Sequence, residues 1–88
     1  MEAKKIVVTG GATRIGAAIA KSLSGYDVKI TIHYNKSKRN AILLKRELEK
    51  SGSEVFLIKA DLSDYKQNEK LMTKSFKLMK GVDCLINN

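Results

Sequence analysis

The feature that most constrains the fold is the alternation of short apolar runs with amphipathic stretches along the whole chain. Residues 5–9, 28–34 and 54–59 are rich in β-branched and apolar side chains, which is typical of strands, and residues 82–87 form a fourth such run. The chain contains no proline and no low-complexity segment that would separate these runs. The sequence therefore predicts one continuous β-α-β-α-β-α-β unit.

The stretches between the runs have helical periodicity. Their apolar residues at spacings of three and four are Ile15, Ala18, Ile19 and Leu23, then Ala41, Leu44 and Leu48, then Leu71, Met72, Phe76 and Met79. Gly25, Gly52 and Gly81 follow the three stretches, as glycines that end helices do. Asp64 with Gln67 three residues later resembles a capping box at the start of the third helix.

Parallel strands joined by helices are connected in a right-handed sense, which favours a doubly wound sheet with strand order 3-2-1-4. The predicted fold class is thus α/β, an incomplete doubly wound, Rossmann-like parallel sheet with three helices. The first two helices would cover one face and the third the other. Strand four, with Val82, Leu85 and Ile86, would leave an apolar edge that invites pairing with another chain, and Cys84 is expected to be a small buried residue of that strand.

The balance of charge suggests an anionic partner. Seventeen lysine and arginine residues against nine acidic ones give a net charge of +8, which suits nucleic acid, an anionic membrane or a phosphorylated ligand. The lysines are scattered and not interleaved with aromatic residues, so a solvated basic surface is favoured over a nucleic-acid groove. A basic nucleic-acid binder nevertheless stays an alternative, and steep salt dependence would identify it.

Several function classes are disfavoured by composition. No apolar stretch approaches the ~18 residues that span a bilayer and no signal peptide begins the chain, so a cytoplasmic location is expected. Cys84 is the single cysteine and His33 the single histidine. We therefore expect neither an internal disulfide nor a structural zinc site.

A glycine-rich segment joins the first strand to the first helix. Residues 9–16 read Thr-Gly-Gly-Ala-Thr-Arg-Ile-Gly. A turn at this point directs backbone N–H groups and the positive end of the helix dipole at one place, which makes an anion site, usually for a pyrophosphate. Gly10 permits the tight turn and Gly16 lets the helix lie close to the sheet. The alternative is a plain turn built from small residues.

This segment resembles the Thr-Gly-x-x-x-Gly-x-Gly signature of short-chain dehydrogenases/reductases, with Arg14 at the middle glycine. That departure resembles the pteridine-reductase-like branch and 3-oxoacyl-carrier-protein-reductase-like members. Two further segments match in order: residues 60–63, Ala-Asp-Leu-Ser, and residues 83–88, which look like the start of the family's Asn-Asn-Ala-Gly segment.

The resemblance covers the whole chain and implies that residues 1–88 are the N-terminal dinucleotide-binding portion of a Rossmann domain. The residues that it places around the cofactor are Gly10, Thr13, Arg14, Ile15 and Gly16 in the glycine-rich segment, Asp61 and Leu62 near the adenine ring, and Asn88 near a ribose. The implied function is that of an oxidoreductase acting on a carbonyl, alcohol or pteridine-type substrate.

The segment after the second strand bears on cofactor selectivity. NAD-binding proteins of this fold carry an acidic residue there for the ribose 2′-hydroxyl, but no acidic residue occurs between Val28 and Arg46. The segment instead supplies cations and polar donors, namely His33, Asn35, Lys36 and Ser37. Together with Arg14 these could hold a 2′-phosphate, which predicts NADP(H) as the cofactor. A solvated basic loop is the alternative, and His33 by itself fits a packing role equally well.

The family's catalytic tyrosine, lysine and serine follow the Asn-Asn-Ala-Gly segment, so we expect no catalytic residue among the 88 and a truncated or split gene product that is inactive alone. Tyr34 and Lys38 do match Tyr-x-x-x-Lys, but Tyr34 ends a strand at the adenosine end of the cofactor, too far from the reacting group for proton transfer. The expected partners are the dinucleotide and a complementing C-terminal half. The alternative is a stand-alone nucleotide-binding module that associates through strand four.

Overall fold

The computed structural model describes residues 3–88, which form one parallel sheet flanked by helices. The elements in chain order are β1 (Lys4–Val8), α1 (Arg14–Leu23), β2 (Val28–Tyr34), α2 (Lys38–Lys50), β3 (Glu54–Lys59), α3 (Tyr65–Met79) and β4 (Cys84–Ile86). The strand order is β3-β2-β1-β4 and all three pairings are parallel. The predicted fold class and strand order are confirmed.

The register brings the carboxyl ends of the strands together. Val8 at the end of β1 pairs with Ile32 of β2 on one side and with Ile86 of β4 on the other. The residues that follow these strands therefore meet at a single edge of the sheet, as the carboxyl ends of parallel strands do. The segments at this edge include the glycine-rich turn, the loop after β2 and the loop after β3.

Two layers of helix enclose the sheet. On one face, the buried core cluster joins α1 and α2 to three strands; its members are Ile6, Val8, Ala20, Ile30, Ile32, Leu44, Leu48 and Val55. Because side chains alternate along a strand, Val7 and Thr31 lie on the other face, where both are fully buried. That face is covered by α3, which contacts β2 and β3 and buries Leu71, Ser75 and Met79.

The prediction that the apolar stripe of α1 packs on the sheet is wrong. The helix buries Gly16 and Ala20, whereas Ile15 is 68% exposed and Leu23 is also exposed. A Cβ atom at Gly16 would overlap the carbonyl oxygen of Gly10 and lie 2.8 Å from Cα of Gly11. Close approach of the helix to the turn thus requires the smallest side chain on the inner face, and the larger apolar residues are left outside.

Three smaller expectations also fail. Phe76 is 60% exposed, because Ser75 takes the inward position between Leu71 and Met79. Cys84 is exposed and not buried. Gly25 does not end α1 in the left-handed conformation; the cap is Ser24, with extended backbone.

The C-terminus of α3 and the start of β4 are fixed by one lysine of β1. The Lys5 side chain donates a 2.8 Å hydrogen bond from Nζ to the carbonyl oxygen of Lys80, the left-handed cap of α3. Its backbone N–H donates to Asp83 Oδ2 at 2.9 Å, and the Asp83 N–H donates back to the Lys5 carbonyl at 2.7 Å. The crossover from α3 to β4 is therefore anchored to the central strand.

No helix within residues 3–88 is long and apolar enough to cross a bilayer.

Candidate functional site

The glycine-rich turn is held against β2. Gly10 has φ +59°, a left-handed conformation that favours glycine. The Gly11 N–H donates to the His33 carbonyl at 3.0 Å, and a Cβ at Gly11 would lie 2.9 Å from the Ile32 side chain. The chain therefore needs glycine here both for the turn and for its close approach to the sheet.

Thr13 caps the N-terminus of α1. Its hydroxyl donates to the Gly10 carbonyl at 2.8 Å and accepts from the Gly16 N–H at 3.4 Å. Within residues 3–88, no hydrogen bond engages the N–H groups of Arg14 and Ile15, the first two residues of the helix. These two donors, together with the helix dipole, are suited to binding an anion.

Asn88 closes the turn from the β4 side. Its Nδ2 donates to the Gly10 carbonyl at 3.1 Å and to Thr13 Oγ1 at 3.0 Å. Its backbone N–H donates to Thr9 Oγ1 at 3.2 Å. The predicted site residue thus lies against the glycine-rich turn, and its contact with a ribose stays a prediction. The part played by Thr9 was missed, because a threonine at a strand end carries no distinctive signal.

The His33 side chain is not exposed, as it would have to be to contact a 2′-phosphate. The residue is only 5% exposed. Its Nδ1 accepts from the Gly10 N–H at 2.9 Å, and its Nε2 lies 2.8 Å from the Ala60 carbonyl oxygen. With both ring nitrogens occupied and the ring buried, His33 is not available for direct contact with a phosphate, so that assignment is corrected.

The remaining polar residues after β2 are open to solvent. Asn35 and Lys36 are exposed, and Ser37 is partly buried at the N-cap of α2 without a side-chain capping bond. Arg14 is exposed and lines an open cleft of about 460 Å³ between α1 and α2. Asn40, which sequence analysis did not single out, lines the same cleft.

Asp61 is held in a defined orientation after β3. Its Oδ1 accepts from the Ser63 hydroxyl at 2.7 Å and from the Ser63 N–H at 3.0 Å. These two bonds, aided by the positive charge of Lys36, hold the pKa of Asp61 below its ordinary value. Leu62 beside it is partly buried.

Gln67 braces the same loop from α3. Its Oε1 accepts from the Asp61 N–H at 2.8 Å, and its Nε2 donates to Asp64 Oδ2 at 3.2 Å. Asp64 is the N-cap of α3 and accepts from the Lys66 N–H. Asp64 therefore caps the helix, but the predicted capping box is not formed, because Asp64 accepts from the Lys66 N–H and Gln67 accepts from the Asp61 N–H.

Tyr34 and Lys38 do not share a helix. Tyr34 is the last residue of β2 and Lys38 the first of α2, so the Tyr-x-x-x-Lys match has none of the geometry of a catalytic pair on one helix. Within the described part of the chain, no group of three or more His, Cys, Asp or Glu side chains could hold a metal ion.

Comparison with known proteins accounts for this arrangement. The profile of the family described as short chain dehydrogenase matches residues 4–88. The chain belongs to the short-chain dehydrogenase family. A short-chain dehydrogenase/reductase of Pestalotiopsis microspora is 31% identical over 88 residues, which are 100% of this chain and 33% of that protein. The chain thus spans about a third of the length of the curated relatives that it matches.

Solved structures, short-chain dehydrogenases among them, superpose closely on the fold. One from Burkholderia cenocepacia J2315, in complex with NADP, is 33% identical with a TM-score of 0.92 and covers 99% of this chain and 36% of that one. An NADH-dependent reductase complexed with NAD is 26% identical with a TM-score of 0.88, over 99% and 36% of the two chains. Both nicotinamide dinucleotides therefore occur among the structural relatives of this fold.

Proposed function

We propose that this chain forms the NADP(H)-binding portion of a short-chain dehydrogenase/reductase. The observation that carries the proposal is the pair of unpaired N–H groups of Arg14 and Ile15. They follow a turn in which the N–H groups of Gly10 and Gly11 bond to His33 and that of Thr13 bonds to the Gly10 carbonyl. An anion at this helix start would accept from the Arg14 and Ile15 N–H groups, and the dinucleotide's diphosphate fits that chemistry.

The preference for NADP(H) rests on charge at the end of β2. The side chains of Arg14, Asn35 and Lys36 are exposed and carry two positive charges and an amide donor. No acidic residue from Val28 to Arg46 would repel a 2′-phosphate. Charge-assisted hydrogen bonds from these residues, with Ser37, would distinguish NADP(H) from NAD(H). Relatives of this fold occur in complex with NADP and with NAD, so the preference proposed here rests on these charges.

The adenosine end would lie across the loop after β3. The ionised carboxylate of Asp61 keeps lone pairs beyond those used by Ser63 and can accept from the exocyclic amine of adenine. Leu62, partly buried beside it, would contact the ring, and Asn88 a ribose. Lys36, whose charge acts on Asp61, would add a positive charge beside the adenosine portion.

The activity of the whole protein would be oxidoreduction of a carbonyl, alcohol or pteridine-type substrate. When bound, NADP(H) supplies or accepts the hydride, while the residues described here bind and orient it. We assign none of them a catalytic role.

Association through β4 is a second candidate function. In the described sheet β4 pairs with β1 on one side only, and Leu85 on it is 42% exposed. A further strand, from a complementing segment or from a second copy, would satisfy that edge. Sedimentation velocity tests this: association that rises with concentration supports it, and a single monomeric species over the micromolar range opposes it.

Backbone NMR of the ¹⁵N-labelled chain tests the site. Titration with NADPH should shift the amide resonances of Arg14 and Ile15 most, followed by residues 35–37 and 61–62. Amides at the far end of the sheet, such as Lys5 and Asp83, provide the internal control and should not move. Shifts confined to α3, or spread evenly over the lysine-rich surface, would contradict the proposed site.

A further inference from the structure

The His33 side chain hydrogen-bonds to two different loops at the carboxyl edge of the sheet. Its ring is buried at the end of β2 and bridges two loops: the Gly10 N–H lies 2.9 Å from Nδ1 and the Ala60 carbonyl oxygen 2.8 Å from Nε2. Ala60 is fixed on its other side as well, because its N–H donates to the Tyr34 carbonyl at 3.0 Å. The His33 side chain thus joins the glycine-rich turn to the start of the loop after β3, which contains Asp61.

The partners define the state of the ring. A backbone N–H can only donate, so Nδ1 must be the unprotonated nitrogen. A carbonyl oxygen can only accept, so Nε2 must carry the hydrogen. His33 is therefore a neutral imidazole in the Nε2–H tautomer, and a proton on Nδ1 would set two N–H groups against each other.

These bonds decide which donors an anion can reach. The Gly10 N–H is taken by His33 Nδ1, and the Gly11 N–H is taken by the His33 carbonyl oxygen. Both glycine amides are thus tied to one residue, while those of Arg14 and Ile15 stay unpaired within the described chain. Without the Nδ1 bond, the Gly10 N–H would lose its acceptor, and the left-handed turn would be held only through the Gly10 carbonyl, which accepts from Thr13 and Asn88.

We propose that His33 is a positioning residue for the cofactor diphosphate: it sets the shape of the glycine-rich turn through Gly10 and does not touch the cofactor. The proposal rests on the function proposed above. The effect of His33 on dinucleotide affinity is assigned to the hydrogen bond between Nδ1 and the Gly10 N–H. The hydrogen bond between Nε2 and the Ala60 carbonyl holds the ring in place.

The tautomer can be measured without any ligand. His33 is the only histidine, so the imidazole ¹⁵N resonances need no assignment by mutation. Long-range ¹H–¹⁵N correlation of the full chain at neutral pH should show a protonated Nε2 and an unprotonated Nδ1, and the Gly10 amide should be protected from solvent exchange. A protonated Nδ1, or a Gly10 amide that exchanges as fast as an open loop, would overturn the proposal.

Two amide variants separate the two bonds. In H33N the side-chain oxygen reaches about the place of Nδ1 and can accept from Gly10, whereas in H33Q the amide nitrogen reaches about the place of Nε2 and can donate to Ala60. H33N should keep NADPH affinity within about threefold, while H33Q should lose about tenfold, as expected for one hydrogen bond left unmade at a buried donor. Circular dichroism and thermal melting confirm that both variants fold, and Gly10 exchange should be fast in H33Q alone.

A shorter ligand locates the effect. Adenosine 2′-monophosphate carries the 2′-phosphate but no diphosphate, so H33Q and the wild type should bind it equally. Equal losses of NADPH affinity in H33N and H33Q, or an equal loss for the monophosphate, would overturn the positioning role. A wild-type chain that binds no dinucleotide would instead remove the proposed function itself, and this role with it.

Discussion

Asn88 Nδ2 lies 3.0 Å from Thr13 Oγ1, although 75 residues separate the two in the chain. The same nitrogen donates to the Gly10 carbonyl at 3.1 Å. The end of β4 is thereby bonded to the turn that begins α1, and the shape of the candidate anion site depends on both ends of the described chain.

This relationship predicts that Asn88→Ala weakens NADPH binding and lowers the free energy of unfolding by about 1 kcal/mol, because two hydrogen bonds to the turn are lost at a partly solvated site. Asn87→Ala is the matched control. Its Oδ1 has one long contact, 3.4 Å from Thr9 Oγ1, so its effect should be much smaller. Calorimetric titration and urea denaturation measure the two quantities, and equal effects of the two variants would contradict the account.

Gly16→Ala should destabilise the fold by about 1–3 kcal/mol, the usual cost of overpacking a close contact. The added methyl would overlap the Gly10 carbonyl and crowd Asn88 Nδ2, so the turn and α1 would have to separate. Dinucleotide binding should fall with stability.

Gly25→Ala provides the control for that substitution. No described atom lies within 4 Å of a Cβ built at Gly25, and its backbone is not left-handed. Its stability should stay level or rise by about 0.4–1 kcal/mol through the smaller entropy of the unfolded chain. Thermal melting of Gly16→Ala and Gly25→Ala compares the two substitutions. Equal melting temperatures for the two variants would contradict the close contact between Gly16 and the Gly10 carbonyl.

Thr31→Val should raise the free energy of unfolding by about 1 kcal/mol. The Thr31 hydroxyl is fully buried and finds no hydrogen-bond partner among residues 3–88, so a methyl group of similar shape removes the cost of its desolvation. Thr9→Val should have the opposite sign, because Thr9 Oγ1 accepts from the Asn88 N–H. Chemical denaturation of both variants tests the contrast.

Ser63→Ala should raise the pKa of Asp61 toward its ordinary value, since the Ser63 hydroxyl is the largest cause of its depression. The bond from the backbone N–H of residue 63 remains, so the rise should be partial. A depressed folded-state pKa stabilises the fold above the unfolded value, and that contribution is lost as pH falls through the folded value. Carboxyl ¹³C titration by NMR measures the shift; an unchanged Asp61 pKa in the variant would contradict the assigned cause.

The pattern of apolar residues predicted those strands and helices whose buried positions carry large apolar or β-branched side chains. The predicted bounds of β2 and β3 match the structure, because each is a β-branched or apolar run between turns. The strand order followed from connection rules that hold for any such series. The packing face of α1 could not be predicted in this way, because Gly16 and Ala20 face inward by virtue of small size, and a pattern of large apolar residues points to the wrong side.

The candidate site was predictable only in part. The glycine-rich turn, Arg14 and Asp61 lie at the carboxyl edge of the sheet as the motifs indicated. The partners of His33 and Gln67 could not be foreseen, since bonds to Gly10, Ala60 and Asp61 depend on how three loops approach one another. Cys84 was expected to be a small buried residue of strand four, as free cysteines commonly are, but β4 forms an edge of the described sheet and leaves it exposed.

The most direct test of the central claim is calorimetric titration of the chain with NADPH and with NADH, for the wild type, Arg14→Ala and Lys77→Ala. We predict that NADPH binds more tightly than NADH. Arg14→Ala should lose about tenfold in affinity for NADPH, as for a hydrogen bond to a charged group, and change little for NADH. Lys77→Ala removes the same charge from the last turn of α3 and should change neither affinity. Equal affinities for the two dinucleotides, or equal effects of the two substitutions, would contradict an NADP(H) site at the start of α1.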